Sequence, residues 1–92
     1  MKFFYLYVLQ SEKTGYLYIG LTSDLRRRLG EHQSDRARAT SKRGPWELIY
    51  YEAYRSKQDA EGREKYLKSG SGHRFLDKQL RMHFSENPRA CP

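Results

Sequence analysis

Two short runs of β-forming residues near the N-terminus constrain the fold more than any other feature of this sequence. They extend from Phe3 to Leu9 and from Tyr16 to Leu21, with a polar loop between them that closes at Gly15. Two such runs joined by a short polar loop are typical of a β-hairpin. Because side chains alternate between the two faces of a strand, one face of this hairpin should be fully apolar and form the core.

The other face of the predicted hairpin is rich in tyrosine. It carries Tyr5, Tyr7, Tyr16, Tyr18 and Gly20. A glycine within a strand often marks a position where another group approaches the backbone closely. We therefore interpret the tyrosine face as a working surface.

The rest of the sequence predicts a third strand and a set of helices. The predicted elements are a helix over 24–33, a loop or short helical turn over 34–45, a strand over 46–54, a helix over 56–69 that stops at Gly70, and a last helix from Ser71 or Gly72. Serine or aspartate at the start of a helix and glycine at its end suit the two caps. In the third strand, alternation places Trp46, Leu48 and Tyr50 on one face. The sequence thus predicts an α+β protein, a small three-stranded antiparallel sheet flanked by helices in the order β-β-α-β-α-α. One domain over residues 1–84 and a loose tail over 85–92 are expected.

The chain is strongly basic. Its 92 residues include 18 Lys and Arg against 11 Asp and Glu, which gives a formal net charge of +7. Such a surface favours polyanions, with nucleic acid ahead of an anionic membrane. The side chains predicted to contact nucleic acid are Arg27, Arg36, Arg38, Lys42 and Arg43.

Cysteine content and hydropathy bear on the compartment. The single cysteine, Cys91, excludes a disulfide within the chain and fits a reducing, cytoplasmic location. No apolar stretch of the sequence is long enough to span a bilayer. We therefore expect a nucleic-acid partner and no membrane partner.

Three polar side chains occupy positions where apolar ones are expected. Arg28 and His32 continue the apolar stripe of the first predicted helix, and Glu64 lies on the stripe of the helix over 56–69. Burying a charge is costly unless the charge is paired. These residues indicate either a functional site or a buried Arg28–Glu64 pair that merely orients two helices. For His32 taken alone, a hydrogen-bonded core histidine is the alternative.

Tyr7 and Tyr18 gain a chemical role if their phenols meet Arg28 and His32. A cation beside a phenol favours the phenolate, which abstracts a proton more readily near neutral pH. The alternative is that the two rings only stabilise the sheet as a cross-strand pair. Glu64 is the one carboxylate expected on an inward stripe. One carboxylate with waters suits Mg²⁺, whereas no cluster of histidine and cysteine suggests zinc.

Together these positions resemble the GIY-YIG nuclease domain family, in particular its small stand-alone bacterial members. The first family motif is matched at Tyr5, Leu6 and Tyr7, where only the last tyrosine agrees with the family name, and the second is matched completely at Tyr18, Ile19 and Gly20. The helix arginine of the family falls on Arg28, the following histidine or tyrosine on His32, and the metal-binding glutamate on Glu64. The resemblance covers residues from 3 to about 80, nearly the whole chain.

The resemblance implies a metal-dependent endonuclease that hydrolyses phosphodiester bonds, with DNA expected as substrate ahead of RNA. In that case Tyr7 and Tyr18 handle the attacking water, and Arg28 and His32 contact the scissile phosphate or the leaving group. Glu64 would hold the Mg²⁺ or Mn²⁺ ion. DNA repair or recombination is the expected context.

The sequence also departs from the family pattern. Tyr5 and Leu6 replace the glycine and isoleucine of the family name, and Leu21 follows Gly20 where some members carry a lysine. No second domain is expected, although appended domains choose the substrate in larger members. This leaves three possibilities: cleavage with little specificity, a protein partner that supplies substrate choice, or binding without cleavage. Two alternatives stay open: a basic nucleic-acid-binding module that does not cleave, and a purely structural partner protein with an internal Arg28–Glu64 pair.

Overall fold

Strand β1 (Phe4–Ser11) lies at the centre of an antiparallel sheet, between β2 (Leu17–Thr22) and β3 (Trp46–Tyr54). The structure is a computed structural model that describes residues 2–34, 36–37 and 40–90. Within these residues the sheet has three strands and four helices accompany it, namely α1 (Leu25–Gln33), α2 (Lys57–Leu67), α3 (Gly70–Gln79) and α4 (Arg81–Glu86). The predicted α+β class and antiparallel three-stranded sheet are confirmed.

Short polar residues cap three of the four described helices, as the sequence predicts for the first two. Asp24 accepts a hydrogen bond from the backbone N–H of Arg27, and Ser56 accepts one from that of Asp59. Such caps satisfy N–H groups that have no partner within the helix. Ser69 caps α3 in the same way, so the expectation that Gly70 ends the preceding helix is wrong: Gly70 is the first residue of α3.

The predicted last helix is two helices. The backbone leaves helical geometry at Leu80, with φ of −110° and ψ of 28°, so α3 ends at Gln79 and α4 starts at Arg81. The apolar pattern alone could not show this break, because Leu80 still packs against the core that Leu76 belongs to.

Helices cover both faces of the sheet. Leu67 of α2 and Leu76 of α3 pack against the face that carries Leu6, Val8 and Ile19. This is the face predicted to form the core.

On the opposite face, α1 packs through Leu25 and Leu29 against the cluster of Tyr7, Leu9 and Trp46. Tyr7 is only 1% exposed. The centre of the tyrosine face is therefore covered by the apolar stripe of α1, and its role as a working surface stays a prediction.

A bulge in β3 changes the predicted alternation of that strand. Leu48 pairs with Leu9 and Tyr50 pairs with Val8, so Ile49 is the extra residue of β3. An extra residue moves the following side chains to the other face. Leu48 and Tyr50 thus lie on opposite faces, which corrects the prediction that they share one.

The segment after residue 84 is attached to the body of the protein as far as residue 90. Ser85 and Glu86 belong to α4, and the backbone N–H of Ala90 donates to the carbonyl of Gly15 at 3.0 Å. The side chain of Gln10 donates to the carbonyl of Asn87 at 2.9 Å. The expectation of a loose tail is wrong for residues 85–90.

Among the described residues, none of the helices has the length and apolar content needed to cross a membrane.

Candidate active site

The hydroxyl of Tyr7 is the centre of a buried polar cluster between β1, β2 and α1. Tyr7 pairs directly with Gly20 across β1 and β2, and a Cβ atom at Gly20 would overlap the phenol oxygen of Tyr7. The glycine therefore gives the phenol room to lie over the neighbouring strand. This is the close approach that a glycine within a strand predicts.

A chain of hydrogen bonds leads from Tyr7 into the loop after α1. The phenol oxygen lies 2.8 Å from Nε2 of His32, and Nδ1 of His32 lies 2.6 Å from the hydroxyl oxygen of Thr40. That hydroxyl lies 3.5 Å from the carbonyl oxygen of Ala37. Arg28 reaches the same phenol, with Nε at 3.4 Å.

The directions of these hydrogen bonds follow from what each group can donate. The hydroxyl of Thr40 donates to the carbonyl of Ala37, so its oxygen accepts from the N–H at Nδ1 of His32. Nε2 of a neutral His32 is then an acceptor, and the hydroxyl of Tyr7 donates to it while its oxygen accepts from Arg28, since a guanidinium only donates. The network assigns a neutral His32, placed to receive the proton of Tyr7.

Burial sets the pKa values of this cluster. It raises the pKa of Tyr7 to about 12, and Arg28 lowers that pKa by a smaller amount. Arg28 thus favours the phenolate as expected, but desolvation outweighs the cation. The expectation that proton abstraction from this phenol becomes easier near neutral pH is therefore wrong, and the phenol keeps its proton there. Burial also lowers the pKa of His32, with Arg28 adding to the effect, so the imidazole stays neutral.

Arg28 is held by a glutamate of its own helix. Its Nη1 donates to Oε1 of Glu31 at 2.7 Å. This hydrogen bond is the main reason that the pKa of Arg28 is raised and that of Glu31 is lowered. The alternative of an internal Arg28–Glu64 pair is wrong, because the partner of Arg28 lies three residues away on α1.

Tyr18 completes the cluster through its ring. Its centroid lies 5.1 Å from that of His32, 6.2 Å from that of Tyr7 and 6.5 Å from that of Trp46. Tyr18 is less buried than Tyr7. The structure thus brings together the four residues predicted from the sequence as a catalytic group, Tyr7, Tyr18, Arg28 and His32.

Glu64 lies on a different helix from Arg28 and His32. It is on α2, which packs against the opposite face of the sheet, and its side chain is 23% exposed. Its described ion pair is with Lys68, at 3.2 Å. Among the described residues no hydrogen bond or ion pair joins Glu64 to Tyr7, Tyr18 or Arg28, so its role as metal ligand stays a prediction.

The donor chemistry around Glu64 fits a hydrated hard cation better than zinc. The described part of the chain contains no group of three or more histidine, cysteine, aspartate or glutamate side chains that could hold a metal. A single carboxylate that is partly exposed can serve Mg²⁺, which keeps several waters and takes further oxygens from substrate phosphate. Glu64 satisfies that requirement.

Glu52 is a more buried carboxylate that the sequence did not reveal. Its side chain is 18% exposed and accepts from Nε and Nη2 of Arg63 at 3.0 and 3.1 Å and from the phenols of Tyr50 and Tyr54. Burial alone would raise its pKa, but these hydrogen bonds lower it overall. The expectation that Glu64 is the one inward carboxylate is therefore wrong. The sequence pattern did not reveal Glu52, because only the bulge in β3 brings this residue onto the face that α2 covers.

Thr40 is a second residue of the site that the sequence did not reveal. It is fully buried and links the site to β3, since its carbonyl accepts from the indole N–H of Trp46 at 3.0 Å. No sequence signal marks a threonine in a polar loop as the partner of a histidine eight residues earlier.

The basic residues predicted to bind nucleic acid are exposed where the structure describes them. Arg27 lies 3.9 Å from Glu31, and Arg36 donates to the hydroxyl of Ser34 at 2.9 Å. Lys42 and Arg43 are exposed in the turn before β3. Arg38 lies outside the described residues, and the binding role of all five stays a prediction.

Comparison with known proteins identifies one family, and the family model and the similar proteins agree on it. The family of the GIY-YIG catalytic domain matches residues 3–85. A UPF0213 protein of Streptococcus pneumoniae serotype 4 is 45% identical over 65 residues, which cover 70% of this chain and 65% of that protein. A UPF0213 protein of Streptococcus pneumoniae strain R6 is 38% identical over 91 residues, 90% of this chain and 91% of that protein. This chain spans slightly less than two thirds of the first relative and most of the second.

A solved structure supports the same fold. The solution NMR structure of the UPF0213 protein BH0048 from Bacillus halodurans matches with a TM-score of 0.53 and 32% sequence identity, and the match covers 84% of each chain.

Proposed function

This chain belongs to the GIY-YIG family, and from that premise we propose that it is a metal-dependent endonuclease that hydrolyses phosphodiester bonds of DNA. The observation that carries the proposal is the hydrogen bond of 2.8 Å between the Tyr7 phenol and Nε2 of a neutral His32, with Nε of Arg28 at 3.4 Å from the same phenol. A proton donor, an acceptor and a cation thus meet at one oxygen.

In the proposed reaction, Tyr7 and His32 remove a proton from the attacking water together. The water proton passes to the Tyr7 oxygen while the proton of Tyr7 moves to Nε2 of His32, so no free phenolate has to form. A phenol with a pKa of about 12 is a poor source of phenolate near neutral pH. Passing its proton to an imidazole avoids that difficulty.

The other residues of the cluster stabilise this proton transfer. The imidazolium that forms keeps its Nδ1 hydrogen bond to Thr40, at 2.6 Å between the heavy atoms. Arg28, oriented by Glu31, offers its remaining N–H groups to the oxygens of the scissile phosphate. The water oxygen forms a bond to phosphorus, the bond to the leaving oxygen breaks, and that oxygen takes a proton from solvent.

Glu64 is the residue that would hold Mg²⁺ or Mn²⁺. A bound divalent ion supplies Lewis-acid stabilisation of the negative charge that develops on the phosphate. The proposed phosphate contacts outside the cluster come from the basic side chains around α1 and the following turn. They are Arg27, Arg36, Arg38, Lys42 and Arg43. We further propose that the protein acts in the cytoplasm, with a protein partner that supplies substrate choice.

A plasmid assay tests the proposal. Purified protein is incubated with supercoiled plasmid in Mg²⁺, in Mn²⁺ or in EDTA, and nicked and linear products are measured. We expect nicking in the presence of either metal and none in EDTA. Glu64→Ala should abolish nicking and keep the fold, because a partly exposed ion pair with Lys68 contributes only about 0–1 kcal/mol to stability. Nicking by this variant at the wild-type rate would remove Glu64 as the metal ligand.

The second candidate is a nucleic-acid-binding module that does not cleave. The burial of Tyr7 favours it, since only 1% of this residue is exposed and water has little access to its phenol before substrate binds. Plasmid binding without nicking in either metal would establish this second function and contradict the first.

A further inference from the structure

A groove of about 680 Å³ runs between α1 and the sheet, on the face that also holds the Tyr7 cluster. Its walls include Leu25, Leu29 and Gln33 of α1 and Tyr5, Leu48 and Tyr51 of the sheet. Pockets for small ligands occupy roughly 300–1,000 Å³ and combine apolar walls with a few polar groups. This groove has that size and that composition.

An exposed aromatic pair forms the wall on the sheet side. Tyr51 is 53% exposed, and its ring centroid lies 6.1 Å from that of Tyr5 with the ring planes inclined at 57°. Tyr51 is opposite Tyr7 in the register of β1 and β3, so the pair lies one strand away from the proposed catalytic phenol. A cross-strand pair alone would explain the contact between the rings, but it does not require that half of one ring remain uncovered.

The helix side of the groove is also open. A Cβ atom added at Gly30 would meet nothing within 4 Å, and Gly30 is one of the residues that line the groove. Ser23 and Gln33 contribute uncharged polar groups, and Asp24 and Arg26 contribute one carboxylate and one guanidinium. The groove therefore combines aromatic faces and polar groups with one cation, and the carboxylate of Asp24 already accepts from the backbone N–H of Arg27.

This combination fits an unpaired nucleobase better than a protein side chain. A base has two apolar faces and a polar edge, and it is joined to a phosphate that a cation can contact. Base–aromatic stacking contributes to single-strand binding for any base, because every base has a π face. In a duplex the faces are covered by neighbouring base pairs, and the net charge of +7 favours a polyanion over a neutral peptide.

We propose that the groove between α1 and β3 binds an unpaired base of single-stranded nucleic acid by stacking on Tyr51. The proposal rests on the proposed function only in taking nucleic acid as the ligand. It assigns the single-stranded part of a substrate to this groove and leaves the scissile phosphate to the cluster around Tyr7.

The test measures binding in EDTA, so that it does not depend on cleavage. Affinities for a short single-stranded oligonucleotide and for a duplex of the same length are compared by fluorescence anisotropy. Loss of one stacked base corresponds to a decrease of roughly 5- to 150-fold in affinity. We expect Tyr51→Ala to lose single-strand affinity in this range, to keep its duplex affinity, and Tyr51→Phe to bind both as the wild type does.

Tyr16 provides a matched control. It is 52% exposed, nearly the same as Tyr51, but it lies in the loop between β1 and β2 and does not line the groove. Tyr16→Ala should keep its single-strand affinity. Gly30→Leu provides a second variant, which keeps Tyr51, favours the helix and fills the groove, and it should weaken single-strand binding as well.

An oligonucleotide that lacks its bases separates stacking from phosphate binding. We expect the wild type to bind this strand as weakly as Tyr51→Ala binds the intact strand. The proposal is overturned if the baseless strand binds as tightly as the intact one, if Tyr16→Ala loses as much affinity as Tyr51→Ala, or if neither Tyr51→Ala nor Gly30→Leu changes single-strand binding. None of these outcomes depends on whether the protein cleaves DNA.

Discussion

Gly20→Ala should disrupt the cluster through a single methyl group. The backbone of Gly20 does not have a positive φ, so its conformation suits any residue. The obstacle is the phenol of Tyr7, which an added Cβ would overlap. Tyr7 cannot move away easily, because it is buried and its oxygen is bonded to His32 at 2.8 Å.

The expected loss of stability follows from two costs and one gain. Overpacking a core position costs about 1–3 kcal/mol, and leaving the buried His32 without its hydrogen bond costs about 1–3 kcal/mol. Replacing glycine restricts the unfolded chain and returns about 0.4–1 kcal/mol. We therefore expect Gly20→Ala to lower the free energy of unfolding by about 1–6 kcal/mol.

Urea unfolding followed by the fluorescence of Trp46 measures this loss, since Trp46 is the one tryptophan of the chain and is buried in the same cluster. Gly62 is the control, because a Cβ there meets nothing within 4 Å on an exposed helix position. Gly62→Ala should raise stability by about 0.5–1 kcal/mol.

A double variant identifies the side chain responsible. An added Cβ at Gly20 would overlap the oxygen and also ring carbons of Tyr7, and Tyr7→Leu removes them all, so Gly20→Ala should cost less in that background than in the wild type. Wild-type stability in Gly20→Ala, or an equal cost in both backgrounds, would refute the placement of the phenol over Gly20.

Three further predictions concern charge and pH. Arg28→Lys should keep the fold and lose most of the cleavage rate, because the compact ammonium of lysine is a point charge and cannot reproduce the planar fork that matches phosphate oxygens; full activity in a single-turnover assay would mean that only the charge matters. His32 has a pKa lowered by burial and then by Arg28, so the unfolded chain binds more protons below pH 6.5 and the free energy of unfolding should fall as the pH drops through 6.5 towards the pKa of the folded state. Urea titrations at several pH values should show this dependence reduced in His32→Gln, and an unchanged dependence would contradict the burial of a neutral imidazole. Arg43→Ala should weaken duplex binding without regard to sequence and lower the log–log salt slope by about one unit, which salt titrations of binding would check; an unchanged slope would remove Arg43 from the phosphate contacts.

Local patterns in the sequence predicted the elements well. The alternating run from Trp46 to Tyr54 is β3 with those bounds, and Asp24 and Ser56 cap the helices they were expected to cap. These features depend on residues near one another in the chain. The position of Glu52 depends on a bulge that only the pairing of β1 with β3 defines, so the sequence pattern could not show it.

The sequence predicted which residues form the cluster, but it did not predict that burial raises the pKa of Tyr7. The spacing of Arg28 and His32 correctly indicated that both point towards the tyrosines, because one helix stripe faces one surface. The competition between the desolvation of Tyr7 and the charge of Arg28 depends on how deeply α1 covers the phenol. Desolvation has the larger effect on the pKa of Tyr7. The pairing of Arg28 with Glu31 depends on side-chain conformations, which the sequence pattern does not specify.

The pH dependence of plasmid nicking tests the central claim, that a neutral His32 receives the proton of Tyr7. The rate should rise with pH through the lowered pKa of His32, below 6.5, and then stay level from about pH 7 to 9, since Tyr7 ionises only far above that range. Tyr7→Phe should lower the level rate by about 10²- to 10⁴-fold and leave duplex affinity unchanged. A rate that keeps rising towards the pKa of the phenol, or a Tyr7→Phe variant that nicks at the wild-type rate, would contradict the transfer from Tyr7 to His32.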